Sequence, residues 1–182
     1  MPNAEADQRV TPAPAHEYDL VCEEGVSAPL TEGQVTACCD HVLAEEGVTR
    51  PCLVSVSFVG EGRIRELNAE WRGVDRATDV ISLECERPDD PSLAPGEPCE
   101  LGDVVLAPTY IARQAAAFGT TEADECRLLL THGLMHLLGY DHLDEDEAEA
   151  MEVREEELLS GMGCDAPIDR VVLTRHREGM DE

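Results

Sequence analysis

Apolar positions along the chain follow two rhythms. Leu53 to Val59 (LVSVSFV) alternates, with Val54, Val56 and Phe58 on one face and Ser55 and Ser57 on the other, the pattern of a half-buried strand. Thr78 to Leu83 (TDVISL) and Gly102 to Leu106 (GDVVL) predict two more strands, and Tyr18 to Cys22 a short one. Between the second and third of these, Pro88, Pro91, Pro95 and Pro98 predict a loop. Helical spacing takes over elsewhere. Val35, Cys38, Cys39, Val42 and Leu43 follow Thr31, which with Gln34 three residues later forms a capping-box signature, and Gly47 is a natural stop. Ile64, Leu67 and Trp71 recur at helical spacing. Thr109 to Phe118 predicts a short helix, Glu122 to Leu138 a longer buried one, and Glu145 to Leu159 one on the surface. No internal repeat is present.

The 182 residues, 42% of them hydrophobic, suffice for one core and imply a single domain. Residues 1–16, with Pro2, Pro12 and Pro14 and little apolar content, are expected to form a flexible tail, and residues 165–182 a C-terminal one. Charge narrows the function. Forty acidic against 13 basic residues give a net charge of -27, which excludes a general polyanion-binding surface and makes any nucleic-acid contact local. An aromatic content of 3% excludes a platform that stacks many bases. No apolar run reaches the roughly 18 to 20 residues of a membrane span, and the first residues are acidic where a signal peptide is basic then apolar, so no membrane role and a cytoplasmic location are expected. The eight cysteines lack any CxxC pair and are expected to be reduced, small apolar residues. Asp141 to Glu157 carries ten acids and one Arg. It is expected to be a solvated helix docked by a thin stripe of Leu143, Met151, Val153 and Leu158.

Three of the six histidines fall in one segment, HGLMHLLGYDH, as His132, His136 and His142. On a helix the first two lie one turn apart on the same face, within reach of one metal ion. A lone HxxxH pair is more often a packed pair than a ligand pair, but here Gly139 offers a left-handed turn that brings the third imidazole round. Three neutral nitrogen ligands with an open fourth position describe a catalytic zinc site, at the end of a buried helix, where bound water becomes acidic. Asp141, beside the third ligand, is either a group that orients an imidazole or a plain helix-end acid. The spacing is shared with zinc peptidases of the metzincin type, which carry a general-base Glu directly after the first His. Here that position is Gly133, which counts against peptide hydrolysis.

HGLMHLLGYDH also resembles the signature of the YbeY family of bacterial metal-dependent endoribonucleases. Two further segments are similar to that family's: Leu67-Asn68-Ala69-Glu70-Trp71-Arg72 followed by Thr78-Asp79-Val80-Ile81-Ser82, and Leu101-Gly102-Asp103-Val104-Val105. The resemblance spans roughly residues 50 to 160. It implies an α+β fold, a single compact domain (residues 17–164) with a small mixed sheet flanked by helices. It also implies one Zn2+ per chain on His132, His136 and His142, and Arg72 as the residue that clamps the phosphate. The substrate it implies is single-stranded ribosomal RNA, in 3′-end maturation of the small subunit and in ribosome quality control. Bottom-up, an Arg beside a metal site can hold a phosphate or its developing charge. Asp79 and Asp141 are the candidates for proton acceptor or for orienting a ligand, though an Asp after Thr78 is commonly a turn or cap.

Three departures from the family's pattern stand out. Leu83 and Glu84 occupy positions where Phe and Pro are usual, the loop from Arg87 to Glu100 is long, and the charge is adverse for RNA. Arg63, Arg65, Arg72 and Arg76 are interleaved with Glu61, Glu66, Glu70 and Asp75, so a phosphate groove requires the fold to separate the signs. Two alternatives remain open: a non-catalytic ribosome-assembly factor with a structural zinc, whose acidity suits a basic ribosomal protein as partner, and a zinc hydrolase of another ester or peptide. The sequence leaves the oligomeric state open.

Overall fold

The computed structural model describes residues 12–162; of the expected N-terminal tail it describes residues 12–16, where His16 Nδ1 accepts from the Cys52 amide at 3.1 Å, while residues 1–11, Cys164 and the expected C-terminal tail lie outside the described residues. The element order is β1 (Glu17–Cys22), α1 (Glu32–Glu45), β2 (Cys52–Phe58), α2 (Glu61–Arg72), β3 (Val80–Glu84), β4 (Cys99–Leu106), α3 (Pro108–Phe118), α4 (Glu122–Leu137) and α5 (Glu145–Gly161). Four strands form one mixed sheet in the order β1-β2-β4-β3, with β3 alone antiparallel to its neighbour. The fold is α+β and mixed, as the resemblance implies.

Side-chain alternation divides the sheet into two faces. Val54, Val56 and Phe58 of β2 with Val104 and Leu106 of β4 enter the main core, which α1 and α4 cover with Val35, Val42, Leu43, Leu130, Leu134 and Leu137. On the opposite face Ile81 and Val105 meet Ile64 of α2 in a smaller cluster. Burial of this apolar area, at roughly 25 cal/mol per Å2, holds the layers together. Cys38, Cys39, Cys52, Cys99 and Cys126 are buried members of the core, while Cys22 and Cys85 are exposed.

Local signals set the helix boundaries. Thr31 accepts from the Gln34 amide while the Gln34 side chain accepts from the Thr31 amide, so the capping box forms in full. β3 begins at Val80, two residues later than the alternation predicts, because Asp79 turns its carboxylate back onto the Val80 amide at 2.8 Å. Two expectations about helix faces fail. Trp71 is 60% exposed: the small cluster under α2 ends with Leu67, and the next turn overhangs it. In α5 the docking stripe is Met151, Leu158 and Leu159 together with buried Glu152 and Glu155, whereas Leu143 and Val153 are exposed. Among the described residues no helix is long and apolar enough to cross a membrane.

Candidate metal centre and its cleft

α4 is the axis of the site. It runs through the core against β3, β4, α1, α3 and α5, and the last two turns of this buried helix present His132 and His136. The helix then stops in a Schellman turn: Gly139 N–H donates to His136 O and Tyr140 N–H to Met135 O, with Gly139 at φ 102. This reversal brings His142 over the other two, with ring centroids 5.8 Å from His132 and 5.1 Å from His136. The Tyr140 hydroxyl donates to Glu46 at 2.9 Å, and Arg154 of α5 holds the same carboxylate, so the turn is tied to α1 and α5.

The donor set fits a metal ion. One ligand atom from each histidine lies within 4.8 Å of the others, and the Nε2 atoms of His132 and His136 are 3.0 Å apart. Two nitrogens sharing a tetrahedral zinc at roughly 2.0 to 2.1 Å stand about 3.3 Å apart, close to this spacing. Each Nδ1 has an acceptor behind it: Glu155 for His132, and the Tyr140 carbonyl at 3.0 Å for His136. Both rings therefore carry their proton on Nδ1 and turn an Nε2 lone pair toward the shared point. Burial, reinforced by the neighbouring histidines, pushes His136 down to about 4, so the ring is neutral and able to ligate at physiological pH.

Nothing in the sequence marks Glu155. It lies 23 residues from His132 within a run of acids, and only the docking of α5 shows that its carboxylate is fully buried against an imidazole. Asp141, the residue expected to orient a ligand, accepts from the His142 amide at 2.8 Å. Truncation of Glu155 to Ala is expected to weaken metal binding by about 10- to 100-fold, with Glu155→Gln intermediate, as measured by chelator competition. Equal affinity in all three proteins would deny Glu155 this positioning role.

Gly133 explains why a general-base Glu is missing from this signature. A Cβ there would stand 2.8 Å from Val104 Cγ1 and 3.1 Å from Ser82 Oγ, because α4 lies directly on the sheet. The position faces the core, so a carboxylate placed on it would be buried and not presented to substrate. Gly133→Ala is expected to cost about 1 to 3 kcal/mol through overpacking, read as a lowered urea midpoint. An unchanged midpoint would show that the contact relaxes freely.

The histidines open onto a cleft of about 540 Å3 whose walls include Arg72, Arg76, Asp79, Arg87, Gln114 and Asp141. Here the fold separates the interleaved charges. Arg63 pairs with Glu66, Arg65 with Asp75, Arg87 with Glu84, Arg113 with Glu61, Arg127 with Asp124 and Arg154 with Glu46 and Glu157. Arg50 binds backbone carbonyls of the Pro-rich loop. Arg72 and Arg76 have neither an ion pair nor a side-chain hydrogen bond among the described residues, and both line the cleft. The long loop also reaches the site: Arg87 packs on Gly139, where an added Cβ would collide with its guanidinium. Asp79 is held at both oxygens, accepting from the Val80 amide and Thr78 on one and from Gln114 Nε2 at 3.0 Å on the other.

A small mixed sheet crossed by a helix that ends in three converging histidines defines a single-domain α+β protein whose histidine cluster could hold a metal ion. The sequence comparisons specify it further. Residues 22–163 match the family described as Endoribonuclease YbeY, and the chain belongs to that family. Similar curated proteins, each named Endoribonuclease YbeY, include one from Micrococcus luteus, 39% identical over 159 residues (84% of this chain, 97% of the relative). Another, from Halorhodospira halophila, is 41% identical over 147 residues, 79% of this chain and 90% of the relative. A solution structure from Thermotoga maritima superposes with a TM-score of 0.56 at 25% identity, covering 80% of this chain and 88% of that one.

Proposed function

We propose that this chain is a zinc-dependent endoribonuclease specific for single-stranded RNA, acting in the cytoplasm in 3′-end maturation of small-subunit ribosomal RNA and in ribosome quality control. The carrying observation is that three histidines, whose ligand atoms lie within 4.8 Å of one another, share a cleft with Arg72 and Arg76, two arginines no described acid neutralises. In a chain of net charge -27 such a local cationic wall suits a phosphodiester. The family resemblance and the relatives' names support the choice of RNA. The acidity of the remaining surface fits docking on the small ribosomal subunit through a basic ribosomal protein.

A bound zinc on His132, His136 and His142 would supply Lewis acidity at the scissile phosphate. The rest falls to the protein's own groups. Arg72 clamps the phosphate and stabilises charge that develops on it, with Arg76 beside it on the same wall. Asp141 is the proton acceptor in this reading, since its Oδ2 carries no hydrogen bond among the described residues. Asp79, engaged at both oxygens, positions Gln114 and the start of β3.

The test is cleavage by zinc-loaded protein of a single-stranded RNA bearing a small-subunit ribosomal 3′ extension, beside the same sequence annealed into duplex. Cleavage of the single strand only, stopped by chelator and restored by zinc, is expected. Cleavage that chelation leaves untouched would mark a contaminant and favour the non-catalytic assembly factor.

A further inference from the structure

Trp71 is the chain's only tryptophan, and the fold leaves it 60% exposed. It continues the α2 stripe of Ile64 and Leu67, both of which pack in the smaller cluster, but the next turn overhangs that cluster. Water therefore covers a large apolar ring that burial would otherwise stabilise. The exposure is not isolated. Among the described residues five large apolar side chains are exposed, and three of them line the cleft or directly adjoin residues that do: Val74 lines it, Trp71 precedes Arg72, and Leu143 follows His142. Scattered apolar residues on a surface need no explanation, whereas apolar residues gathered at one cleft mark a surface that binds.

We propose that the Trp71 indole stacks on a nucleobase of the bound strand, one sugar away from the phosphate held at Arg72. The inference rests on the RNA-cleaving reading above and adds the group that receives a base. Charge selects this occupant. Trp71 and Val74 alternate along the chain with Arg72 and Arg76, the two cleft arginines without an acidic partner among the described residues, so one wall carries apolar and cationic groups in turn. A single-stranded nucleic acid presents the matching alternation, an anionic phosphate and a flat uncharged ring joined through one sugar. A basic protein surface, which the rest of this acidic chain attracts, is repelled by the same two arginines. Every base has a π-face, so the contact holds the strand without fixing its sequence. One indole receives one base, in keeping with an aromatic content of 3%.

The experiment uses the zinc-loaded full chain, a labelled RNA reporter, and two competitor hexamers with the same ribose-phosphate backbone, one of adenosines and one abasic. Because Trp71 is the only tryptophan, its emission reports this one place. Read after rapid mixing and before turnover, the adenosine hexamer is expected to quench that emission and the abasic hexamer to leave it unchanged. In competition against the reporter the adenosine hexamer should bind wild type about 5- to 100-fold more tightly than the abasic one, the worth of one stacked base. Trp71→Ala should remove that preference by weakening the adenosine hexamer alone. Trp71→Leu should do the same although it keeps an apolar side chain, and Trp71→Phe should retain most of the preference. The ring is exposed, so the variants are expected to fold. A merely structural role would weaken both hexamers alike and would overturn the proposal. A preference kept in full by Trp71→Ala, or quenching by the abasic hexamer, would overturn it too and pass the apolar rim to a protein partner. With the reporter still cleaved, those results leave the endoribonuclease reading standing. A reporter left intact by zinc-loaded wild type would overturn that reading, and this one with it.

Discussion

His136→Ala is expected to abolish both zinc binding and RNA cleavage while the fold survives. His136 is the middle member of the triad, with ring centroids 4.5 Å from His132 and 5.1 Å from His142, and its Nε2 shares one point with His132 Nε2. Removing it leaves two ligands that no longer share a neighbour, and a site with three protein ligands has none to spare. The ring lies at the cleft and not in the apolar core, and alanine is the best helix former, so the metal-free fold tolerates the change. Thermal unfolding separates the two effects. Zinc at about 100 times its dissociation constant stabilises a native state by about 2.7 kcal/mol, so wild type should gain in Tm on zinc addition and His136→Ala should not. The metal-free variant should melt slightly below metal-free wild type, having lost only the hydrogen bond from His136 Nδ1 to the Tyr140 carbonyl, worth about 1 kcal/mol. A variant that still gains in Tm, or still cleaves, would place the ion elsewhere.

That the site was legible at all follows from how local its signals are. His132 and His136 are neighbours by helical geometry, and Gly139 marks the reversal by its own backbone freedom, so the convergence of three histidines could be assembled from one short segment. The capping box at Thr31 and the alternation of β2 are equally local and form as the pattern predicts. What stayed hidden depends on docking. Glu155 is one acid among the ten between Asp141 and Glu157, and nothing in its neighbours marks it as the one that meets His132. The apolar residues expected to dock α5 misled, because Leu143 lies before the helix begins and Val153 falls on its outer face. The charge problem had the same character. Interleaved signs along α2 are uninformative until folding pairs Arg65 with Asp75 and Arg63 with Glu66, leaving Arg72 and Arg76 for the cleft.

The unpaired state of Arg72 makes the second large effect measurable in isolation. Arg72→Ala is expected to lower the rate of cleavage by about 10²- to 10³-fold, the loss seen when one donor aimed at developing charge is removed. Zinc content should be unchanged, because Arg72 touches none of the groups that position the histidines: His132 is held by Glu155 and His136 by the Tyr140 carbonyl. Stability should be nearly unchanged as well. The side chain is exposed at the last turn of α2, where Gly73 in the left-handed conformation ends the helix, and no described partner is stranded by its removal. Arg72→Lys should recover only part of the rate, since an ammonium supplies charge without the paired donors of a guanidinium. Losing one phosphate contact should also flatten the dependence of RNA binding on salt. These readouts distinguish a clamp from a bystander: cleavage at the wild-type rate by a zinc-replete Arg72→Ala protein would remove Arg72 from the chemistry and pass the phosphate to Arg76.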